Sequence, residues 1–231
     1  MMDSLPRRRI NLTRTLPNPN RYTTALEGEF SRYAFSEERA PDNKGQWRSK
    51  VFETGDDRPM DLEIGTGNGF HFGHRAITFP NRCIVGIEIK YKPLFQAIRR
   101  PLKAGAKNAA MCRFHAFNID DLFADGELND VYIHFPDPWT SPKKPKNRIV
   151  NRAMLATLHR MQRPGSMIEF KTDSREAFLW CLEEIAASPY KVEARTLDLH
   201  RSEWAAGNFM TFFESLFVKD GIEINYIRLR R

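Results

Sequence analysis

From residue 60 onward, short apolar runs alternate with longer stretches in which apolar residues recur every three or four positions. The runs at 60–64, 83–88, 109–114, 130–135 and 166–171 are the length of buried strands. Between them the spacing predicts helices, as in 91–104, where Leu94, Phe95, Ile98 and Leu102 share a face. The end of the chain departs from this rhythm. Residues 192–199 and 222–229 alternate like strands around a short helix at 210–218, which predicts an antiparallel pair closing the sheet. The expectation is an α/β, Rossmann-like fold with a seven-stranded, mostly parallel sheet, an antiparallel C-terminal strand and helices on both faces. Residues 1–58 show little periodicity. They suggest a basic, flexible arm over 1–45 before a domain spanning 46–231.

Composition narrows the class. At 231 residues, 41% hydrophobic and 28% charged, the chain suits one α/β domain with a full core. No apolar run approaches the length of a membrane span, and no apolar segment follows Arg7, Arg8 and Arg9, so a cytoplasmic protein is expected. Cys83, Cys112 and Cys181 stand far apart in apolar surroundings and predict buried thiols, with neither a disulfide framework nor a metal cluster. The net charge of +7 is unevenly distributed. Between Ile89 and Ile119 there are seven cations and no acid, and the same holds between Pro138 and Ile168. Solvated helix faces would explain the first window, whereas the second follows a candidate active-site loop and points to phosphate oxygens.

The strand at 60–64 runs into Gly65-Thr66-Gly67-Asn68-Gly69, three alternate glycines that let a ligand approach the main chain closely. About twenty residues later Glu88 ends the second run, where a carboxylate can accept both hydroxyls of a ribose. A dinucleotide fingerprint would carry glycine at position 70, and this chain has Phe70. The spelling suits a nucleoside ligand without a pyrophosphate, such as S-adenosylmethionine.

Three further stretches bring acids to the ends of later elements. His134-Phe135-Pro136-Asp137-Pro138-Trp139 holds one carboxylate between two prolines. Phe170-Lys171-Thr172-Asp173 adds a second, which could equally cap the next helix, and Thr211-Phe212-Phe213-Glu214 adds a third. His71 and His74 have no third ligand nearby, so no metal site is expected.

Together with Glu63-Ile64, Gly86-Ile87 and Lys44-Gly45-Gln46-Trp47, these stretches resemble the tRNA (guanine-N7-)-methyltransferase family of the TrmB type, from about residue 40 to the C-terminus. The resemblance implies a class I methyltransferase that uses S-adenosylmethionine to methylate N7 of a variable-loop guanine, position 46, in tRNA. It places Glu63, Gly65, Gly67, Glu88, Ile89, Asn118, Ile119 and Asp137 around the cofactor, with Asp137 also catalytic. Lys143, Asp173, Thr211, Phe213 and Glu214 match substrate-side positions, although an ungapped match would put Ser141 where a two-residue shift puts Lys143. Lys144, Lys146 and Arg148, with Arg7 to Arg9, are candidate phosphate contacts. The partner implied is tRNA, with no membrane or metal, and the chain could act as a monomer or a homodimer. Three other readings remain. A methyltransferase for another RNA or a protein would share the cofactor half, an NAD-dependent oxidoreductase would explain the glycine loop and Glu88, and a tRNA-binding module would explain the basic windows.

Overall fold

A computed structural model describes residues 5–140 and 147–231. The chain forms two compact units, one of residues 6–129 and the other of residues 130–231 with Leu5.

In the first unit, four parallel strands lie in the order β1-β4-β3-β2, with β1 at Ala34–Phe35, β2 at Met60–Ile64, β3 at Cys83–Glu88 and β4 at Ala109–Arg113. Helices α2 (Phe70–Thr78) and α3 (Tyr91–Lys103) supply the crossovers; a four-residue α1 (Arg21–Thr24) precedes them. Strand β2 is buried along its whole length although it carries two acids. Asp61 and Glu63 are two apart and therefore share a face, and α2 presents His71 and Arg75, four apart, to meet them. Arg75 and Arg82 both donate to Asp61, and His71 Nδ1 shares a 2.7 Å hydrogen bond with Glu63. Each buried charge therefore has a partner, as burial requires. The Lys44-Gly45-Gln46-Trp47 stretch is anchored from the far end of this unit. Glu127 accepts from the main-chain N–H of Gly45 and Trp47, and the fully buried Trp47 ring donates from Nε1 to the Leu122 carbonyl.

In the second unit, β5 (Val131–His134) pairs in parallel with β6 (Met167–Thr172). Strand β8 (Asn225–Arg230) lies antiparallel between β6 and β7 (Lys191–Thr196). The helices are α4 (Arg152–Met161), α5 (Arg175–Ala186) and α6 (Phe212–Lys219). The antiparallel C-terminal strand expected from the alternation is present, and β1 adds an eighth strand to the seven expected. At two residues β1 is too short to leave a periodic signal.

All three cysteines are free and buried, and burial pushes the Cys83 thiol up to about 11 and that of Cys181 to about 12. They are packing residues at neutral pH. Among the described residues no helix is long and apolar enough to cross a membrane.

Candidate active site

The glycine loop leaves the carboxyl end of β2, where ligands of open α/β sheets bind. Gly65, Gly67 and Gly69 all have positive φ, at 77°, 51° and 73°. Gly69 has a second constraint, because a Cβ there would sit 2.4 Å from the Ala97 backbone of α3. At Gly65 nothing lies within 4 Å of an added Cβ, so the main chain is open to a ligand. Glu88, at the carboxyl end of β3, ties the loop down. Its Oε2 accepts from Gly67 N at 3.0 Å and its Oε1 from Lys90 N at 2.9 Å. Each carboxylate oxygen accepts one bond here and can accept another, which is the capacity a ribose diol needs. Ile89, next to it, is exposed, whereas Ile119 is fully buried beyond β4.

Asn118 is engaged in a way the sequence does not reveal. Its carboxamide clasps the main chain of Arg8, accepting from Arg8 N at 2.9 Å and donating to Arg8 O at 2.8 Å. Arg7 pairs with Asp121, and the Arg8 guanidinium lies 5.5 Å from the Phe117 ring centroid. Further along, Arg113 donates to the Asn11 carbonyl and to Glu37, and Thr13 also donates to Glu37. Residues 7–13 thus run across the carboxyl end of β4, and the Arg8 main chain occupies both ends of the Asn118 amide.

In the second unit, β5 leads into the loop that carries Asp137. Phe135 and Trp139, at the two ends of the Pro-Asp-Pro turn, have φ of 51° and 44°. Bulky side chains seldom adopt that region, at a cost of roughly 1–3 kcal/mol each, and such strain persists only where the surroundings enforce it. Arg148 supplies the enforcement. It donates to the carbonyls of Pro138 at 3.0 Å and Trp139 at 3.3 Å, and pairs with Glu176 at 2.8 Å. Expected among the phosphate contacts, Arg148 is instead a buried brace, 6% exposed. Asp137 itself is exposed and makes no hydrogen bond among the described residues.

Asp173 follows β6 and is half-buried. It does not cap α5, since Ser174 accepts from Ala177 N and does so itself. Its carboxylate has no hydrogen-bond partner among the described residues. Glu214 is in the opposite condition. Fully buried in α6, its Oε2 accepts from Lys171 Nζ at 2.8 Å and Thr211 N at 3.2 Å. Its Oε1 accepts from Asn208 Nδ2, and His200 Nε2 lies 3.0 Å away. Thr211 returns the bond, its hydroxyl accepting from Glu214 N, which completes a capping box. Phe213, between them, is half in solvent at 51%.

Lys171 is the residue that sequence reasoning missed. A lysine near the end of an apolar strand is a signal in itself. Wholly buried, its amino group also donates to Asn208 Oδ1 at 2.9 Å and the Phe209 carbonyl at 3.1 Å, drawing the 208–214 segment onto β6. Ser141, Lys143, Lys144 and Lys146 lie outside the described residues.

A family model described as "Putative methyltransferase" matches residues 57–226. A tRNA (guanine-N(7)-)-methyltransferase of Bdellovibrio bacteriovorus is 58% identical over 90% of this chain and 99% of its own length. The chain belongs to the tRNA (guanine-N7-)-methyltransferase family. A tRNA (guanine-N(7)-)-methyltransferase of Lachnoclostridium phytofermentans is 34% identical over 79% of this chain and 84% of its own length. Among solved structures, an antibiotic-related methyltransferase covers 80% of the chain at a TM-score of 0.56 and 19% identity, matching over 93% of its own length. The 16S rRNA methyltransferase KamB covers 77% at a TM-score of 0.56 and 18% identity, matching over 91% of its own length. Both share its class I methyltransferase fold. For a member of this family the implied cofactor is S-adenosylmethionine, and the residues present fit it: Gly65 is an open cradle that a side chain would fill, and Glu88 has acceptor capacity to spare.

Proposed function

We propose that this protein transfers a methyl group from S-adenosylmethionine to N7 of guanine 46 in the variable loop of tRNA, with the catalytic groups on residues 46–231 and the expected arm of 1–45 reduced to the stretch before β1, since β1 belongs to the sheet. The cofactor, when bound, supplies a methyl made electrophilic by its sulfonium. Glu88 accepts from the ribose hydroxyls, Gly65 and Gly67 open the main chain, and Glu63, fixed on His71, sets the start of the turn. Asn118 borders the adenine and Ile89 covers the ribose side, whereas Ile119, expected at the cofactor, is fully buried and packs in the interior.

Neutral guanine carries a free lone pair on N7, so the reaction needs no general base. What remains for the protein is positioning, exclusion of water and stabilisation of the cationic purine as its charge grows. Asp137 is suited to the last task. Its carboxylate is committed to no other group, and the strained, Arg148-braced turn fixes where it points. That observation carries the proposal. Asp173, similarly uncommitted, accepts from guanine N1–H and N2–H, a pattern adenine does not offer. Glu214 has both oxygens engaged, so its part is to hold Thr211 and Phe213 in place while Phe213 offers a ring to the base. Lys143, Lys144 and Lys146 are assigned to substrate and phosphate, where they offset the cost of drawing the guanine out of its stack.

The test is methyl transfer from labelled S-adenosylmethionine to unmodified tRNA, followed by nucleoside mapping. N7-methylguanosine in the variable loop is the expected product, and transfer to another atom or no transfer refutes the proposal. Asp137→Ala is expected to lower kcat by about 10²–10³ while cofactor affinity is held. Unchanged turnover with weaker cofactor binding would remove Asp137 from the catalytic role.

A further inference from the structure

The cations on and beside α3 differ from the other basic side chains around them. Arg75 and Arg82 are bound to Asp61, and Arg113 to Glu37. Lys90, Lys92, Arg99, Arg100, Lys103 and Lys107 have no carboxylate partner among the described residues, and there is no acid in the sequence from Ile89 to Ile119 to supply one. A helix face that is merely solvated commonly interleaves both signs to lower its self-repulsion. This one does not.

Two of these cations line a groove of about 380 Å³ between α2 and α3, within the roughly 300–1,000 Å³ of small-ligand sites. Its other walls are Phe70, His74 and Ile77, with Gly73 as floor. The two helices pack closely at Gly73, where a Cβ would come within 3.2 Å of Arg100 Cβ. Phe70 and Ile77 stay exposed at 38% and 50%. The Arg100 guanidinium lies 3.7 Å from the Phe70 ring centroid, and only its Nε is occupied, donating to the Asn68 carbonyl at 2.7 Å. His74 has its pKa lowered by burial, then by His71 and Arg75, so it adds a neutral polar edge at pH 7.

We propose that this groove is a nucleotide subsite for the RNA substrate: Arg100 and Lys103 hold a backbone phosphate, and a base lies against Phe70 and Ile77. The chemistry is that of single-stranded RNA grooves, in which cations track the phosphates and apolar or aromatic faces take the bases without hydrogen-bond readout. The subsite shares no lining residue with the cofactor loop, so it serves affinity and the register of the RNA. It rests on the reading of tRNA as the substrate.

The test measures equilibrium binding of labelled tRNA from about 50 to about 300 mM salt, where phosphate contacts show their salt dependence. For Lys103→Gln the expected result is affinity about three- to ten-fold weaker and a log–log salt slope smaller by about 0.7–0.9, the release accompanying one phosphate contact. Ile77→Glu sets a carboxylate in the groove and is expected to weaken binding at least as much. A photoreactive amino acid at position 77 should crosslink to the tRNA, and unlabelled tRNA should suppress it. Unchanged affinity and slope in both variants, or crosslinking from position 77 to protein in a cell extract but not to tRNA, overturns the proposal. If the slopes change but no N7-methylguanosine forms, the groove stands and the proposed reaction falls. Normal N7-methylguanosine with unchanged slopes leaves the reaction standing and removes the groove.

Discussion

Replacing Lys171 with Met tests how the substrate-side turn is held. The substitution keeps much of the stem volume and removes the ammonium, which makes three bonds: to Glu214 Oε2, Asn208 Oδ1 and the Phe209 carbonyl. With Lys171 and Glu214 both fully buried, no water can replace the lost partner cheaply. Breaking a buried pair from one side costs about 3–5 kcal/mol, because the remaining charge is left uncompensated. The Thr211 N–H and Asn208 amide still reach Glu214, which argues for the lower end, about 3 kcal/mol. Urea unfolding should show a lower midpoint with an unchanged slope. The companion double variant Lys171→Met/Glu214→Gln retains an oxygen to accept from Thr211 N and leaves no buried charge. It should recover at least half of the loss, so that the coupling energy measured by the cycle is favourable and above about 1 kcal/mol. A single variant within about 0.5 kcal/mol of the parent, or a double variant worse than the sum of its singles, would refute the idea that the pair holds this segment. In transfer assays, Lys171→Met should raise KM for tRNA while cofactor affinity stays within error.

The arm offers two further tests. Deleting residues 2–9 releases the Asn118 carboxamide from Arg8. Two net hydrogen bonds at about 0.5–1.5 kcal/mol each no longer compete, so cofactor affinity measured by calorimetry should tighten about five-fold or more. Unchanged or weaker affinity would show that the arm does not compete with the adenine. His115 reports on the same region, its pKa lowered from an ordinary 6.5 first by burial and then by Arg8. With the folded value below the unfolded one, the unfolded chain binds the proton more readily near pH 6. The stabilising contribution is therefore complete above 6.5 and is lost as pH falls toward the folded value. His115→Asn keeps an acceptor for the Phe117 N–H, so between about pH 7.5 and about pH 5.5, which brackets that titration, its urea midpoint should fall less than the parent's.

What was legible in the sequence followed from burial and from chain-local chemistry. The strands around the site are buried along most of their length, and their ends fall within a residue or two of where the apolar pattern stops. The glycine loop and Glu88 were visible because a positive-φ turn and an acid about twenty residues later are both written locally. What stayed hidden depended on partners distant in sequence. Arg148 stands in a basic window that points to phosphate, yet Glu176, 28 residues on, and two loop carbonyls claim its guanidinium. Asn118 reads as an open amide until Arg8, 110 residues earlier, takes both of its ends. Glu214 reads as a substrate ligand until Lys171, 43 residues earlier, is found against it. Counting charges along a window therefore overstates how many are available, because an acid elsewhere can cancel a cation without appearing nearby. Once those pairings are subtracted, the second window loses Arg148 and Arg152 to carboxylates and the first loses Arg113, which leaves the six cations from Lys90 to Lys107 without a carboxylate among the described residues. On physical grounds the window that looked easier to dismiss as a solvated helix face is the better candidate for RNA contact.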